Sequence, residues 1–144
     1  MKIPFLRLHP DAVLPVPATP GSAGADLCAR LDADVTVAPG ETYVVTNGFA
    51  AAVPEGYAGL VFARSGLASK NGLAPANKVG VVDSDYRGEW RVPMHNHSGE
   101  PQTIRNGQRI AQVVIVPAFA PEFYETDSLD ETERGSGGLG STGS

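Results

Sequence analysis

Short apolar or β-branched runs separated by turn residues dominate the chain. The runs are VTVAP, TYVV, FAAAVP, AGLVFA, EWRVPM and IAQVVIVP. Pro-Gly, Asn-Gly, Glu-Gly and Ser-Gly pairs recur between them, and turns at this spacing leave room mainly for strands. The pattern therefore predicts an all-β domain whose strands form a barrel or a sandwich.

Two local elements are predicted within this pattern. Thr46-Asn47-Gly48 lies between the runs YVV and FAAAV and predicts a β-hairpin, because Asn-Gly accepts the positive φ angles of a two-residue turn. Ser65 to Lys70 is the only stretch with a helical pattern, so one short helix is expected there. The sequence shows no internal repeat.

Length, charge and cysteine content narrow the classes of protein to consider. The 144 residues, 42% of them hydrophobic, suit a single domain with its own core. A net charge of −5 argues against binding long nucleic acid, which requires a strongly basic face. No apolar run reaches the roughly 18 residues of a membrane span, and no signal-peptide run is seen. Because Cys28 is the single cysteine, a reducing compartment is indicated, and we expect a cytoplasmic protein with neither nucleic-acid nor membrane partners.

The composition changes after Phe123. The segment YETDSLDETERGSGGLGSTGS has few side chains that form a core, so it is expected to be mobile when alone. We therefore divide the chain into a β domain at 1–125 and a Gly/Ser-rich arm at 126–144. An unordered terminus is one interpretation of this arm. Arg134 followed by GSGGLGSTG favours a functional arm, because glycine-rich backbone can wrap closely around phosphates.

The tripeptide Arg64-Ser65-Gly66 precedes the predicted helix. If the helix begins at Ser65, its hydroxyl, the free N–H groups of the first turn and the Arg64 guanidinium converge on one spot. Such a spot suits a phosphate. The alternative is an ordinary helix cap beside a solvated arginine, and the tripeptide alone does not decide between them.

The stretch NKVGVVDSDYRGEW, residues 77–90, ends a predicted strand with two acidic residues. Val79, Val81 and Asp83 share one face of that strand, so the Asp83 carboxylate closes an apolar row and is expected to be partly buried. A carboxylate there can accept a proton from a water molecule. The alternative is a turn-forming aspartate that bonds to its own backbone. Asp85 competes with Asp83 for the role of base.

Three further side chains have two interpretations each. Tyr86 offers a flat face to a sugar or base, or packs as an ordinary strand tyrosine. Asp26, within AGADLCA, faces a pocket or a metal ion, or else the solvent side of an edge strand. Gln112 interrupts RIAQVVIV, and a buried amide there needs a structural hydrogen bond or a ligand. The three histidines lack a further ligand for zinc, so surface roles are expected for them.

Five segments, taken in order, resemble the five ordered motifs of the homotrimeric dUTPase family, the deoxyuridine triphosphate nucleotidohydrolases. They are AGADLCA, RSGLA, NKVGVVDSDYRGE, GQRIAQ and RGSGGLGSTG, and together they run from residue 23 to 143. Each is a weak match alone, but five in the family's order and spacing form a very specific signal. The resemblance implies a jelly-roll β-barrel with one short helix, assembled as a homotrimer with active sites at subunit interfaces and an exchanged C-terminal arm.

The resemblance also implies a role for each residue singled out above. Asp83 would orient and deprotonate the attacking water, and Asp26 would hold Mg²⁺ through water. The triphosphate would be bound by Arg64, Ser65, Gly66 and Gln112. A hairpin from Asn77 to Arg91 would form the pocket for uracil and deoxyribose, with contacts from Asn77, Gly80, Val81, Val82, Tyr86 and Arg91. The arm would close over the nucleotide through Arg134, Leu139 and Gly140.

The activity implied by the resemblance is Mg²⁺-assisted hydrolysis of dUTP to dUMP and pyrophosphate, through attack of water on the α-phosphate. This would limit uracil in DNA and supply dUMP for dTMP synthesis. Two positions depart from the family's pattern, since Leu139 replaces a usual aromatic residue and Ala63 a common proline. Two other functions stay open: a related dCTP deaminase, and a non-catalytic nucleotide-binding trimer that engages a regulatory protein, whose identity the sequence does not reveal.

Overall fold

The structure is a computed structural model, described here for residues 1–138. Within that range the chain forms eleven strands and one helix, which confirms the predicted all-β fold with a single short helix. The elements are β1 (Phe5–Arg7), β2 (Ala25–Cys28), β3 (Val35–Val37), β4 (Thr42–Thr46), β5 (Phe49–Ala51), β6 (Tyr57–Ala63), α1 (Ser65–Asn71), β7 (Leu73–Pro75), β8 (Gly80–Val82), β9 (Arg91–Asn96), β10 (Gln102–Ile104) and β11 (Arg109–Pro117).

Antiparallel pairing arranges the strands in four small sheets around one core. The sheets have the orders β2-β11-β6-β8, β4-β9-β7, β1-β5 and β10-β3. Antiparallel sheets bury one face and leave the other open, which explains the alternating burial along β9 and β11. At the centre of the core Phe49 packs between Phe5 and Trp90, with ring centroids 4.9 and 5.3 Å apart. Among residues 1–138 the pairing wraps the core without closing into one continuous hydrogen-bonded barrel.

The hairpin predicted at Thr46-Asn47-Gly48 is wrong. β4 pairs with β9 and β5 pairs with β1, so this segment carries the chain from one sheet to another. Gly48 has a positive φ of 73°, but Asn47 does not. Instead the Asn47 side chain is buried and its Nδ2 donates to the Cys28 carbonyl oxygen at 2.7 Å. A buried hydrogen bond has therefore replaced the exposed turn that the dipeptide favours locally.

An extra residue in β11 changes which of its side chains share a face. Arg109 lies opposite Cys28 and Gln112 lies opposite Asp26, with a register shift between Arg109 and Ala111. Residues opposite one another point to the same face of a sheet, and Asp26 and Cys28 share a face of β2. Arg109 and Gln112 therefore face the same side, although a regular strand would point them to opposite sides.

The helix α1 begins at Ser65 as predicted and ends one residue beyond the predicted end, at Asn71. Arg64 is its N-cap and has an extended backbone, without a side-chain capping hydrogen bond. Gly72 closes the helix in the left-handed region and donates from its N–H to the Ala68 carbonyl at 3.1 Å. The short helix thus follows β6 directly and presents its first turn beside the end of that strand.

Residues 118–138 contain neither strand nor helix and are almost all exposed. Within 126–138 the hydrogen bonds run inside the segment, for example from Arg134 Nε to the Gly137 carbonyl oxygen at 2.9 Å. Leu139 and Gly140 lie outside the described residues. In the part of the chain from Met1 to Gly138, the structure has no helix long and apolar enough to cross a membrane.

Candidate active site

One pocket gathers predicted phosphate and metal ligands from three separate segments. This pocket, called pocket A, has a volume of about 420 Å³. It lies where β2, the start of α1 and β11 meet, and the predicted residues that line it are Asp26, Arg64, Ser65, Gly66 and Gln112. The structure therefore brings together five residues that are up to 86 positions apart in the sequence.

Asp26 is held between two arginines in pocket A. Its side chain is 18% exposed, its Oδ1 accepts a hydrogen bond from Arg64 Nε at 2.9 Å, and its Oδ2 accepts one from Arg109 Nη1 at 3.1 Å. A carboxylate in contact with two guanidinium groups is neutralised and fixed in direction. Of the two interpretations of Asp26, the structure supports the one that faces a pocket.

Gln112 makes the structural hydrogen bond expected of a half-buried amide. Its Nε2 donates to the Ala63 carbonyl oxygen at 3.0 Å, at the end of β6. The same side chain lines pocket A. The amide is therefore positioned by the protein itself next to Arg64.

Arg109 is a site residue that the sequence analysis missed. Counting alternate positions from Gln112 assigns Arg109 to the opposite face of β11, away from Asp26. The bulge in β11 reverses that assignment and brings its guanidinium to the Asp26 carboxylate. No residue type in GQRIAQ marks the bulge, so the sequence carried no signal for this contact.

The Cys28 thiol lies near these charges, and its reactivity tests the electrostatics of pocket A. Burial raises the pKa of Cys28 and the Asp26 carboxylate raises it further, against the opposing effect of Arg109 and Arg64. A thiol with a raised pKa is mostly protonated and unreactive near neutral pH. We expect iodoacetamide to alkylate Cys28 more slowly than free N-acetylcysteine at about pH 7.5, with the rate still rising beyond pH 9, as followed by mass spectrometry. Asp26→Asn should accelerate alkylation, and an unchanged rate would contradict the assigned cause.

A second pocket, pocket B, has a volume of about 230 Å³ and lies beside β8 and the loop that follows it. The predicted residues that line it are Val81, Val82, Asp83, Tyr86 and Arg91. Its remaining wall consists of the core-side residues Leu27, Asn47, Val61, Trp90 and Val92. Gly80 is buried in β8 and does not line the pocket, nor does Asn77, whose Nδ2 would lie 3.0 Å from a Cβ built on Gly80.

The segment from residue 77 to 91 is a strand and a loop, not the predicted hairpin. β8 pairs with β6, whereas β9 pairs with β4 and β7. The loop between them folds on itself, since the Tyr86 N–H donates to the Asp83 carbonyl at 3.2 Å and the Tyr86 hydroxyl donates to the Glu89 carbonyl at 2.9 Å. The Tyr86 ring is thereby fixed at the rim of pocket B.

Asp83 is exposed, which corrects the prediction that it is partly buried. The row of apolar residues that ends at Asp83 faces outward. Val81, in that row, is 60% exposed because Gly80 is the residue of β8 that packs inward. Asp83 nevertheless lines pocket B, whereas Asp85 lines a different pocket together with Arg87. The structure thus separates the two candidate carboxylates.

The residues of pocket A fit a water-mediated contact to Mg²⁺. The described residues contain no cluster of three or more His, Cys, Asp or Glu that could hold a metal ion. Asp26 is the one carboxylate among the described residues of pocket A. Mg²⁺ keeps several waters and commonly binds through one or two carboxylates together with substrate phosphates. A single carboxylate beside residues that could bind phosphate matches that donor set, although it would not bind the ion tightly by itself.

Comparison with known proteins adds four likenesses. A dUTPase family model matches residues 11–143. A curated relative from Desulfitobacterium hafniense, named deoxyuridine 5'-triphosphate nucleotidohydrolase, is 53% identical over 144 residues. The match covers 99% of this chain and 95% of that relative. A mutant dUTPase of Staphylococcus bacteriophage 80alpha with dUpNHpp superposes with a TM-score of 0.86 at 27% identity, over 99% of both chains. A mutant dUTPase from phage phi11 of S. aureus, which reveals the coordination of a structural Mg(II) ion, is similar over 89% of this chain and 98% of its own, with a TM-score of 0.78 and 26% identity.

Proposed function

This chain belongs to the dUTPase family of hydrolases, and from that premise we propose that it cleaves dUTP to dUMP and pyrophosphate by attack of an Asp83-activated water on the α-phosphate. The observation that carries this proposal is the grouping of the candidate ligands, with the phosphate-binding set in pocket A and the carboxylate and base-binding set in pocket B. We further propose that the reaction limits uracil in DNA and supplies dUMP for dTMP synthesis.

Pocket A is suited to a triphosphate. Arg64 donates to Asp26 through Nε and to the Arg109 carbonyl oxygen through Nη1 at 3.4 Å, so its guanidinium is held in place while its remaining N–H groups would bind phosphate oxygens. The first N–H groups of a helix have no partner within it, and a Cβ built on Gly66 would meet nothing within 4 Å, so the backbone there borders open space. The Gln112 amide completes the set. Asp26 would hold a water of the bound Mg²⁺, which would neutralise charge on the triphosphate.

Pocket B is suited to the deoxyuridine and to the attacking water. The backbone of Gly80, Val81 and Val82 would bind the base edge, with Asn77 beside it and the Tyr86 ring under the deoxyribose. Asp83 takes a proton from the water as its oxygen bonds to the α-phosphorus and the bond to the bridging oxygen breaks, which releases pyrophosphate. Arg91 forms part of the same rim and is paired with Glu89 at 3.3 Å. Positive charge from Arg64 and from Arg134 of the arm stabilises the charge that develops on the phosphates.

A homotrimer would join the two pockets. Pockets A and B share no lining residue in one chain, and we propose that a nucleotide uses pocket A of one copy and pocket B of a neighbouring copy. The outer face of the sheet β2-β11-β6-β8 carries exposed apolar side chains, Phe62 and Val81 among them, which supports its burial against another copy. The C-terminal arm, with Arg134, Leu139 and Gly140, would then close over the nucleotide bound by a neighbouring copy.

We expect the protein to have a mass of about 45 kDa in solution, three times the 15.0 kDa of the chain. Size-exclusion chromatography with light scattering measures this directly. A monomer at micromolar concentration would contradict the proposed assembly.

Turnover of dUTP with Mg²⁺ tests the proposed function. We expect dUMP and pyrophosphate in equal amounts, no ammonia, and much slower reactions with dCTP, dTTP and UTP. Release of ammonia would favour a deaminase. Nucleotide binding without turnover would favour a non-catalytic binding protein.

Leu139 gives a test of the arm, because an aliphatic side chain there cannot stack on the uracil ring. Stacking of a base on an aromatic side chain contributes about 1–3 kcal/mol, so Leu139→Phe is expected to lower KM or raise kcat for dUTP. Leu129→Phe is the matched control, since Leu129 is an exposed leucine elsewhere in the arm. If both kinetic constants of Leu139→Phe equal those of the unmodified chain, the predicted contact is wrong.

A further inference from the structure

Two buried residues that line pocket B each carry a polar atom with no hydrogen-bond partner. Among residues 1–138, Asn47 Oδ1 and Trp90 Nε1 are the buried side-chain nitrogen and oxygen atoms that lack a partner. Asn47 is 1% exposed and Trp90 is 4% exposed, and both line pocket B. Buried polar groups are nearly always hydrogen-bonded, so two unpaired atoms at one cavity indicate a polar occupant of that cavity.

The orientation of Asn47 is fixed by its other end. Its Nδ2 donates to the Cys28 carbonyl oxygen at 2.7 Å, so exchanging the amide nitrogen and oxygen would set two acceptors against each other. The side-chain oxygen is therefore the end that needs a donor. The indole N–H of Trp90 in turn needs an acceptor, because it can only donate.

The two side chains are neighbours on a rigid part of the fold. The backbone N–H of Asn47 donates to the Trp90 carbonyl at 3.0 Å, and the backbone N–H of Trp90 donates to the Phe49 carbonyl at 2.9 Å. The indole also packs on the Phe49 ring in the core. Because the two residues are joined through their backbones and line the same pocket, their unpaired acceptor and donor suit one small molecule that can both donate and accept.

We propose that pocket B contains an ordered water molecule bound by Asn47 and Trp90, and that this water donates its second hydrogen to a carbonyl oxygen of the bound base. The water accepts from Trp90 Nε1–H and donates to Asn47 Oδ1, which gives it the two or more polar partners that a buried water requires. The pocket's 230 Å³ exceeds several-fold the volume of about 30 Å³ that one water occupies in the liquid, so a water and a base fit together. This inference rests on the proposed function, which puts uracil in pocket B.

Binding of dUMP to single and double variants tests the shared water. We expect Asn47→Ala and Trp90→Phe each to weaken dUMP binding about 3- to 10-fold in calorimetry, and to raise KM for dUTP by a similar factor. Because both residues hold the same water, the double variant should bind dUMP about as well as either single variant. Unchanged affinity in both single variants, or fully additive losses in the double variant, would overturn the proposal.

Phe49→Leu is the control for a loosened core. Phe49 packs on Trp90 but does not line pocket B, so this substitution should lower the melting temperature and leave dUMP affinity unchanged. An equal loss of affinity in Phe49→Leu would assign the effect to packing and overturn the role of the water.

Measurements on the unmodified chain remain decisive if a variant does not fold. A crystal structure should contain a water within hydrogen-bond distance of Asn47 Oδ1 and Trp90 Nε1, and a direct bond between those two atoms would overturn the proposal. Trp90 is the single tryptophan, so its fluorescence should change when dUMP binds beside it. If the unmodified chain fails to hydrolyse dUTP, the proposed function fails, whereas the crystallographic result on the water stands by itself.

Discussion

Replacement of Asp83 by asparagine is expected to lower kcat for dUTP by about 100- to 10,000-fold, the range that a general base contributes. Asparagine has nearly the same shape, but its amide does not accept a proton from the attacking water. Asp83 is exposed and lies outside the core, so the melting temperature and the affinity for dUpNHpp should change little. Pyrophosphate release measures the rate, and calorimetry measures binding.

Asp85→Asn is the matched control for that experiment. Asp85 is two positions away and also exposed, but it lines a different pocket with Arg87. It should retain turnover close to that of the unmodified chain. If Asp85→Asn loses activity while Asp83→Asn retains it, the base is misassigned.

Deletion of residues 126–144 is expected to reduce turnover by about 100-fold or more, because the reaction then lacks the Arg134 charge and the closed, water-excluding site. The domain itself should remain folded, since the described hydrogen bonds of 126–138 run within the arm and its side chains are exposed. Steady-state kinetics and a thermal melt together measure the two effects. A truncated chain that turns over at the full rate would contradict both the arm's role and the boundary at residue 125.

Two arm variants localise that loss. Arg134→Ala removes the proposed cation and keeps the glycine-rich segment, so it should account for much of the effect. Asp127→Ser with Asp130→Ser changes the arm outside the proposed phosphate-binding segment and should retain activity. Equal losses in both variants would indicate that the arm acts through its overall charge rather than through Arg134.

The strand pattern was predictable because alternation and turn residues act locally. The same patterns did not predict which face of a strand meets the core. Val81 is on the exposed face of β8 because Gly80 packs inward, and Asp83, which follows the strand, is exposed as well. At Asn47 the local preference for a turn gave way to a buried hydrogen bond with Cys28, which only the assembled sheets provide.

The candidate site was predictable only in part from the residues themselves. Arg64-Ser65-Gly66 and Gln112 were recognisable as unusual, yet each had an ordinary structural alternative until the resemblance to a family assigned a role to them together. Arg109 was not predicted because strand register, not residue type, brings it to Asp26. The unpaired atoms of Asn47 and Trp90 became visible only with the packing around pocket B.

The extra residue in β11 affects which changes of chain length this protein can accept during evolution. Loss of that residue would leave Arg109 and Gln112 two positions apart, so regular alternation would keep both side chains on the face of β11 that meets Asp26. Substitutions at this place keep the count and therefore the geometry. A lineage can thus vary the side chains here, and a single-codon deletion at the bulge would still leave the guanidinium on the side of the carboxylate.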